Sequence, residues 1–229
     1  MMKLVICGFI GAGKSTVCDI LQNEHGFAVF NFADKLKKIV SVIFNWPLEM
    51  LQGVTPASRI VREQKDLYWS KALGRDFTPR IALQQVGSAM RAGVSAHVWI
   101  YSLERDVACM PKDADIVIGD ARYPNEIQSM RALGAKLVHV QRETPLWLDA
   151  AKHLLATGER LEGIPLPHET EYAWINTEFD YVLKNCGTKE ELAAQVAEMV
   201  GGLRCRGSAP TTPGASGAEG GIKTSATEL

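Results

Sequence analysis

The sequence lacks a large net charge of either sign, a long apolar run and a spaced cysteine motif. Its 25 Lys and Arg residues balance 26 Asp and Glu residues, so we expect no nucleic-acid partner. No apolar run reaches the roughly 18 residues of a membrane span, and the apolar N-terminal stretch is too short for a signal peptide. The five cysteines show no Cys-x-x-Cys or Cys/His ligand spacing, which favours reduced thiols over disulfides or zinc. These absences predict a cytoplasmic protein with no membrane partner.

The composition that remains is typical of a folded domain followed by a tail. Of the 229 residues, 46% are hydrophobic and 22% are charged, which suffices for a core without disulfides or metals. After Gly201 the chain is rich in Gly, Ala, Ser, Thr and Pro and has few apolar residues. Such a segment buries too little surface to offset its ordering entropy. We predict a folded domain over residues 1–202 and a disordered tail over residues 203–229.

Short apolar segments alternate with segments of helical periodicity along the folded part. The predicted strands are residues 3–7, 27–32, 115–120, 136–140 and 179–183. The predicted helices are one that follows residue 13, one that Asp34 caps, and those at residues 57–73, 79–91, 96–109, 125–133 and 188–200. The segment 143–167 is polar, contains prolines and is only partly helical. Strands that alternate with helices predict an α/β fold, with a parallel sheet covered on both faces.

A glycine-rich segment, GFIGAGKS at residues 8–15, lies between the first predicted strand and helix. It matches the phosphate-loop pattern GxxxxGK followed by Ser or Thr, in which backbone N–H groups and a helix N-terminus bind a phosphate chain. Lys14 would reach the β- and γ-phosphates, and Ser15 would coordinate magnesium. The alternative is a glycine-rich turn with an exposed lysine. The predicted phosphate-loop contacts are Gly11, Ala12, Gly13, Lys14, Ser15 and Thr16.

Two acidic residues follow predicted strands, at the edge of the sheet where ligands of such folds bind. Asp120 could hold magnesium directly or through water, or it could start a turn or cap the next helix. Asp34 could position or deprotonate a phosphate acceptor, or it could serve only as a helix N-cap. Both readings stay open for both residues.

Arginines supply the cations that phosphate transfer between two anionic nucleotides needs. Arg122 and Arg142 follow predicted strands, and with Lys14 and Asp34 they are the predicted catalytic residues. For each arginine the alternative is a solvated surface charge. His168 belongs either to a substrate loop or to a local cap. The full set of candidate arginines is Arg59, Arg62, Arg80, Arg91, Arg122, Arg142 and Arg160.

Taken in order, these segments resemble the deoxynucleoside monophosphate kinases of bacteriophages, a branch of the P-loop nucleotide kinases. The stretches that carry the resemblance include GFIGAGKST, TPRIALQQVG, ADIVIGDARYPNE, GAKLVHVQR and PHETEYAW. The resemblance implies a three-layer sandwich of the P-loop NTPase type, with about five parallel strands, a helical substrate insertion and a lid-like segment at about residues 143–170. It also implies transfer of the ATP γ-phosphate, with Mg²⁺, to a deoxynucleoside monophosphate.

The same resemblance implies a substrate site beside Ser15 and Asp120, the metal ligands predicted from the residues themselves. It suggests substrate contacts from Phe32, Ala33, Asp34, Lys37, Arg59, Arg62, Arg80, Gln84, Trp99, Asp120, Glu126, His168 and Glu171.

Two other functions remain open at this point. One is a kinase of another small acceptor, such as dephospho-coenzyme A, although the arginine-rich TPR and DARYPNE segments favour a nucleotide. The other is an ATP-binding regulatory module that acts through a partner. The expected partner is a small-molecule nucleotide, in the host cytoplasm if the protein is phage-encoded, and a homodimer is left open.

Overall fold

The structure, a computed structural model, describes residues 1–53 and 55–207. Its centre is a sheet of five parallel strands in the order β2-β3-β1-β4-β5. The strands are β1 Lys3–Cys7, β2 Ala28–Phe30, β3 Ile116–Ile118, β4 Lys136–Gln141 and β5 Tyr181–Lys184. In register, Val5 of β1 pairs with Ile118 on one side and Leu137 on the other. The predicted parallel sheet is confirmed.

The helices lie on both faces of the sheet and in an insertion before β3. They are α1 Lys14–His25, α2 Ala33–Phe44, α3 Leu48–Gln52, α4 Pro56–Glu63, α5 Leu67–Leu73, α6 Pro79–Gly93, α7 Val98–Ala108, α8 Pro124–Ala132, α9 Leu148–Thr157 and α10 Lys189–Gly207. A short 3₁₀ turn, Glu169–Glu171, precedes β5. The described part of the chain contains no helix long and apolar enough to cross a membrane.

Alternating strand residues build a separate core on each face of the sheet, because successive side chains of a strand point to opposite sides. Leu4 and Ile6 of β1 pack with α1 and α10, whereas Val5 and Cys7 pack with α7 and α8. A third core, which includes Val40, joins α2, α3 and α6 of the insertion. The fold is therefore a three-layer α/β sandwich of the P-loop NTPase type with a helical insertion.

The insertion differs from the prediction in two places. The predicted helix over residues 57–73 is two helices, α4 and α5, which Gln64, Lys65 and Asp66 separate. The Asp66 carboxylate accepts the N–H of Trp69 (2.8 Å) and so caps the start of α5. The helical pattern is therefore interrupted between α4 and α5. The short helix α3 was not predicted.

The N-terminus of α2 corrects the predicted cap at Asp34. The helix begins at Ala33, and its N-cap residue Phe32 makes no side-chain cap. Asp120, at the end of β3, accepts the N–H groups of Phe32 (2.7 Å) and Ala33 (3.0 Å) instead. The predicted cap at Asp34 is wrong because a carboxylate distant in sequence already binds the free N–H groups of the helix.

The last helix starts as predicted and ends later. Thr188 and Glu191 form a capping box, in which each backbone N–H donates to the other side chain (3.0 and 3.2 Å). α10 continues past the predicted end at Val200 to Gly207, and Leu203 packs against the core under β1. Residues 203–207, which were predicted to belong to the tail, are therefore part of this helix, and the rest of the predicted tail, residues 208–229, lies outside the described residues.

Candidate active site

A cleft of about 920 Å³ lies at the carboxyl edge of the sheet, where β1, β2, β3, β4 and β5 all end. It is bounded by the phosphate loop, the start of α2, the helical insertion and the segments that follow the strands. The predicted site residues that line it are Gly11, Gly13, Lys14, Ser15, Thr16, Phe32, Ala33, Lys37, Arg59, Arg62, Arg80, Gln84, Trp99, Asp120, Arg122, Glu126, Arg142, His168 and Glu171.

The phosphate loop leads into α1 without a side-chain cap. Gly13 precedes the helix at φ 100°, a left-handed conformation that glycine tolerates and other residues avoid. The first turn of α1 contains no acidic residue. The N–H groups at this helix end, with the positive end of the helix dipole, are therefore suited to an anion.

Lys14 lies across this loop. Its Nζ donates to the carbonyl oxygens of Gly8 (2.8 Å) and Phe9 (2.9 Å). Burial lowers the Lys14 pKa, as does the nearby charge of Arg122, while Glu171 opposes the shift. Lys14 and Arg122 both line the cleft and are near enough for their positive charges to interact, which suits the cleft to an anion.

Asp120 lines the cleft while it caps α2. Burial raises its pKa, and the bonds from the Phe32 and Ala33 N–H groups and the charge of Lys37 oppose this shift. Each carboxylate oxygen keeps a second lone pair. Ser15 lines the same cleft, so the two residues offer the hard oxygen donors that Mg²⁺ prefers, and they fit the ion.

A buried carboxylate connects α6 to the loop after β3. Glu126 is 2% exposed and accepts from Arg91 Nη2 (2.5 Å) and from the N–H groups of Arg122 (2.9 Å) and Tyr123 (3.2 Å). Burial raises the Glu126 pKa, against these bonds. The Arg91 guanidinium carbon lies 4.2 Å from the Tyr123 ring centroid. Glu126 thus holds together Arg91, Arg122 and Tyr123, which all line the cleft.

The arginines of the insertion form the opposite wall. Arg59 Nε donates to Gly53 O (3.0 Å), and Arg80 Nη1 lies 2.9 Å from Glu63 Oε1. Arg62 Nε is buried and has no hydrogen-bond partner among the described residues. Burial lowers the Arg62 pKa, and the charge of Arg80 lowers it further. This wall, which we call the arginine wall (Arg59, Arg62 and Arg80), has more positive charge than its one carboxylate partner balances.

The turn at residues 168–171 holds Arg122. Arg122 Nη1 lies 2.6 Å from Glu171 Oε1, and the Tyr123 hydroxyl donates to Glu169 (3.2 Å). The His168 ring nitrogen Nδ1 accepts the Thr170 N–H at 3.4 Å, so His168 caps this turn and also lines the cleft. Both roles weighed for His168 are therefore compatible with its position.

Three predicted residues are placed differently from the rest. Asp34 is not among the residues that line the cleft; its carboxylate accepts from Asn31 Nδ2 (3.1 Å) and lies 3.6 Å from Lys37. The Ala12 side chain is in the core under the loop. Arg160 is exposed in the segment after α9 and does not line the cleft.

Sequence reasoning missed Asn185, which lines the cleft directly after β5. Its side chain contacts the phosphate loop through Ala12 O (2.8 Å). The rule that singled out Asp120 and Arg142, a polar residue at the end of a predicted strand, applies equally to Asn185.

The sequence matches no protein-family model. It is 28% identical over 211 residues to a protein of Acanthamoeba polyphaga mimivirus named "Putative deoxynucleotide monophosphate kinase". The matched residues cover 87% of this chain and 96% of the viral protein. The phosphate loop and this relative support the conclusion that the chain is a P-loop kinase that acts on a small molecule.

Solved structures with a similar arrangement include two small-molecule kinases. Dephospho-CoA kinase from Campylobacter jejuni is 14% identical with a TM-score of 0.45, over 88% of this chain and 96% of that one. Shikimate kinase from Aquifex aeolicus is 14% identical with a TM-score of 0.41, over 89% and 99%.

Proposed function

We propose that this chain transfers the γ-phosphate of ATP to a deoxynucleoside monophosphate and releases ADP and the deoxynucleoside diphosphate. The observation that carries the proposal is the arginine wall facing the phosphate loop across one cleft, with the buried Arg62 Nε unpartnered. The name of the mimivirus relative agrees with this acceptor.

The donor side of the cleft is the phosphate loop. The N–H groups at the start of α1 and the ammonium of Lys14 suit the β- and γ-phosphates of ATP. Ser15 and Asp120 would hold Mg²⁺, which when bound neutralises charge on the phosphate oxygens.

The acceptor side is the arginine wall. A buried guanidinium nitrogen without a partner is costly, and neighbouring like charges add to that cost. The monophosphate of an acceptor supplies both a counter-charge and oxygen acceptors that suit the planar guanidinium of Arg62. Gln84 and Trp99, which line the same cleft, would then face the sugar and base.

In the reaction, an oxygen of the acceptor phosphate attacks the γ-phosphorus in line, and the bond to the β-phosphate oxygen of ADP breaks. Lys14, Arg122 and Arg142 line the cleft and would stabilise the charge of the transferred group. Arg122 is held by Glu171, which orients its guanidinium before substrate binds. Asp34 remains a proposed acceptor-side carboxylate.

An ADP-release assay with a panel of acceptors tests the proposal. The panel contains deoxynucleoside and ribonucleoside monophosphates and dephospho-coenzyme A, with Lys14→Ala as the control for contaminating kinases. We expect release that depends on at least one deoxynucleoside monophosphate and none with dephospho-coenzyme A. Release only with dephospho-coenzyme A would assign another acceptor. Slow release that no acceptor accelerates would indicate a regulatory ATPase.

A further inference from the structure

Asn185 connects the last strand of the sheet to the phosphate loop. Its backbone N–H donates to Gln141 O (2.7 Å), which continues the pairing of β5 with β4. Its side-chain Nδ2 donates to Ala12 O (2.8 Å), across 173 residues of sequence. On the other side, the capping box of Thr188 and Glu191 anchors the start of α10. The backbone is therefore anchored both before and after Asn185, which keeps its side-chain amide in place as a donor.

The amide also lies directly against Gly13. A Cβ atom added to Gly13 would be 2.2 Å from Asn185 Nδ2, which no pair of unbonded atoms tolerates. Glycine thus suits position 13 because of its left-handed backbone and because any side chain there would displace the Asn185 amide. The contact shows that the side chain covers the Ala12–Gly13 peptide itself.

The hydrogen bond constrains the direction of that peptide group. In a trans peptide the C=O and the following N–H point to opposite sides, and the described residues contain no cis peptide. When Asn185 holds the Ala12 carbonyl, the Gly13 N–H must point the other way. Without that bond, the peptide between Ala12 and a glycine is easily rotated, and rotation would turn a carbonyl oxygen towards bound phosphate.

We propose that Asn185 is a positioning residue of the donor site, which fixes the Ala12–Gly13 peptide so that the Gly13 N–H faces the phosphate chain. The identity of the ligand as ATP rests on the proposed function. The positioning role itself concerns any bound polyphosphate.

The test compares Asn185→Ala and Asn185→Asp with a matched control, Gln195→Ala. Gln195 makes two bonds of the same kind to Lys184 on the same strand–helix unit (both 2.9 Å) and does not line the cleft. Titration calorimetry measures the Kd of ATP and of inorganic tripolyphosphate, kinetics give the KM of the acceptor, and thermal unfolding shows that each variant is folded.

We expect Asn185→Ala to raise both Kd values about tenfold, the equivalent of one lost hydrogen bond. Asn185→Asp, nearly equal in shape, should raise them more, because a carboxylate repels both the Ala12 carbonyl and phosphate. The acceptor KM should stay within about twofold of the parent in both variants, and Gln195→Ala should leave both Kd values unchanged. A purely structural role would change all three constants together.

Two results would overturn the inference: a Kd for tripolyphosphate within about twofold of the parent in Asn185→Ala, or an equal rise in Gln195→Ala. A parent that binds ATP without acceptor-dependent turnover contradicts the proposed kinase function but leaves the Asn185 comparison valid. A parent that binds neither ATP nor tripolyphosphate overturns both proposals.

Discussion

The donor and acceptor sides of the cleft differ in how their polar groups are satisfied. On the donor side, Lys14 donates to two loop carbonyls, and Asn185 binds a third. On the acceptor side, the arginine wall contains the buried, unpartnered Nε of Arg62. The donor side is therefore held in shape by bonds within the protein, whereas the acceptor side carries positive charge that the described residues do not balance. The difference indicates that the two sides contribute differently to catalysis and to ligand-dependent stability.

The largest effect is expected on the donor side. Lys14→Ala should lower turnover by more than about a hundredfold, because the charge that develops on the transferred phosphate loses the cation of the phosphate loop. The free energy of unfolding should change little, since the hydrogen bonds of Lys14 to the described residues are confined to its own loop. Steady-state turnover and thermal unfolding are measured together. Lys38→Ala, an exposed lysine on α2, is the control, and Lys14→Ala activity within about threefold of the parent would contradict the phosphate-loop assignment.

A smaller and more selective effect is expected on the acceptor side. Arg62→Lys keeps the positive charge but loses the planar pair of donors, so the acceptor KM should rise about tenfold while the ATP KM stays within about twofold. The rise should be similar for every accepted base, because the phosphate is common to all. Initial rates against each substrate give both constants. Arg75→Lys, an exposed arginine of the same insertion that does not line the cleft, is the control. An effect confined to ATP would move Arg62 to the donor side.

Asp120 lines the cleft between the donor and acceptor sides and also caps α2. The substitution Asp120→Asn tests this cap. The carboxamide can accept only one of the two N–H groups, so the free energy of unfolding should fall by about 1 kcal/mol, as for other lost caps. Asp34→Asn is the matched comparison and should leave stability unchanged, because Asp34 is not the cap. Urea unfolding distinguishes the two.

The turnover of Asp34→Asn then decides the catalytic role predicted for that residue. A loss of turnover without a loss of stability supports an acceptor-side carboxylate. A fully active Asp34→Asn would leave Asp34 with only its bonds to Asn31 and Lys37.

The smallest expected effect is the pH dependence that Asp120 gives to the free energy of unfolding. Because burial raises the pKa of Asp120 in the folded protein above its ordinary 3.8, the folded state binds that proton more tightly than the unfolded state. The stability of the parent relative to Asp120→Asn should therefore decrease as pH rises from 3.8 through the raised pKa, and then level off. Urea titrations of both proteins across this range measure the difference. A relative stability that increases with pH would show that the Asp120 pKa is lowered instead.

The phosphate loop of the donor side was predictable from sequence because its residues are contiguous. The phosphate loop occupies residues 8–15, and the buried strands β1 and β3 are continuous apolar runs. The cap of α2 and the amide over Gly13 were not predictable in this way, since Asp120 and Asn185 reach partners 87 or more residues away. The acceptor residues were individually recognisable as arginines, but only the fold brings α4 and α6 to one wall.

Transfer of a labelled γ-phosphate tests the central claim most directly. The parent protein is mixed with γ-labelled ATP, Mg²⁺ and a deoxynucleoside monophosphate, and the nucleotides are separated after a single turnover. The proposed function predicts that the label appears in the deoxynucleoside diphosphate, and that Lys14→Ala leaves it in ATP. Label recovered as inorganic phosphate, with the acceptor unmodified, would contradict a kinase that joins the two sides of this cleft.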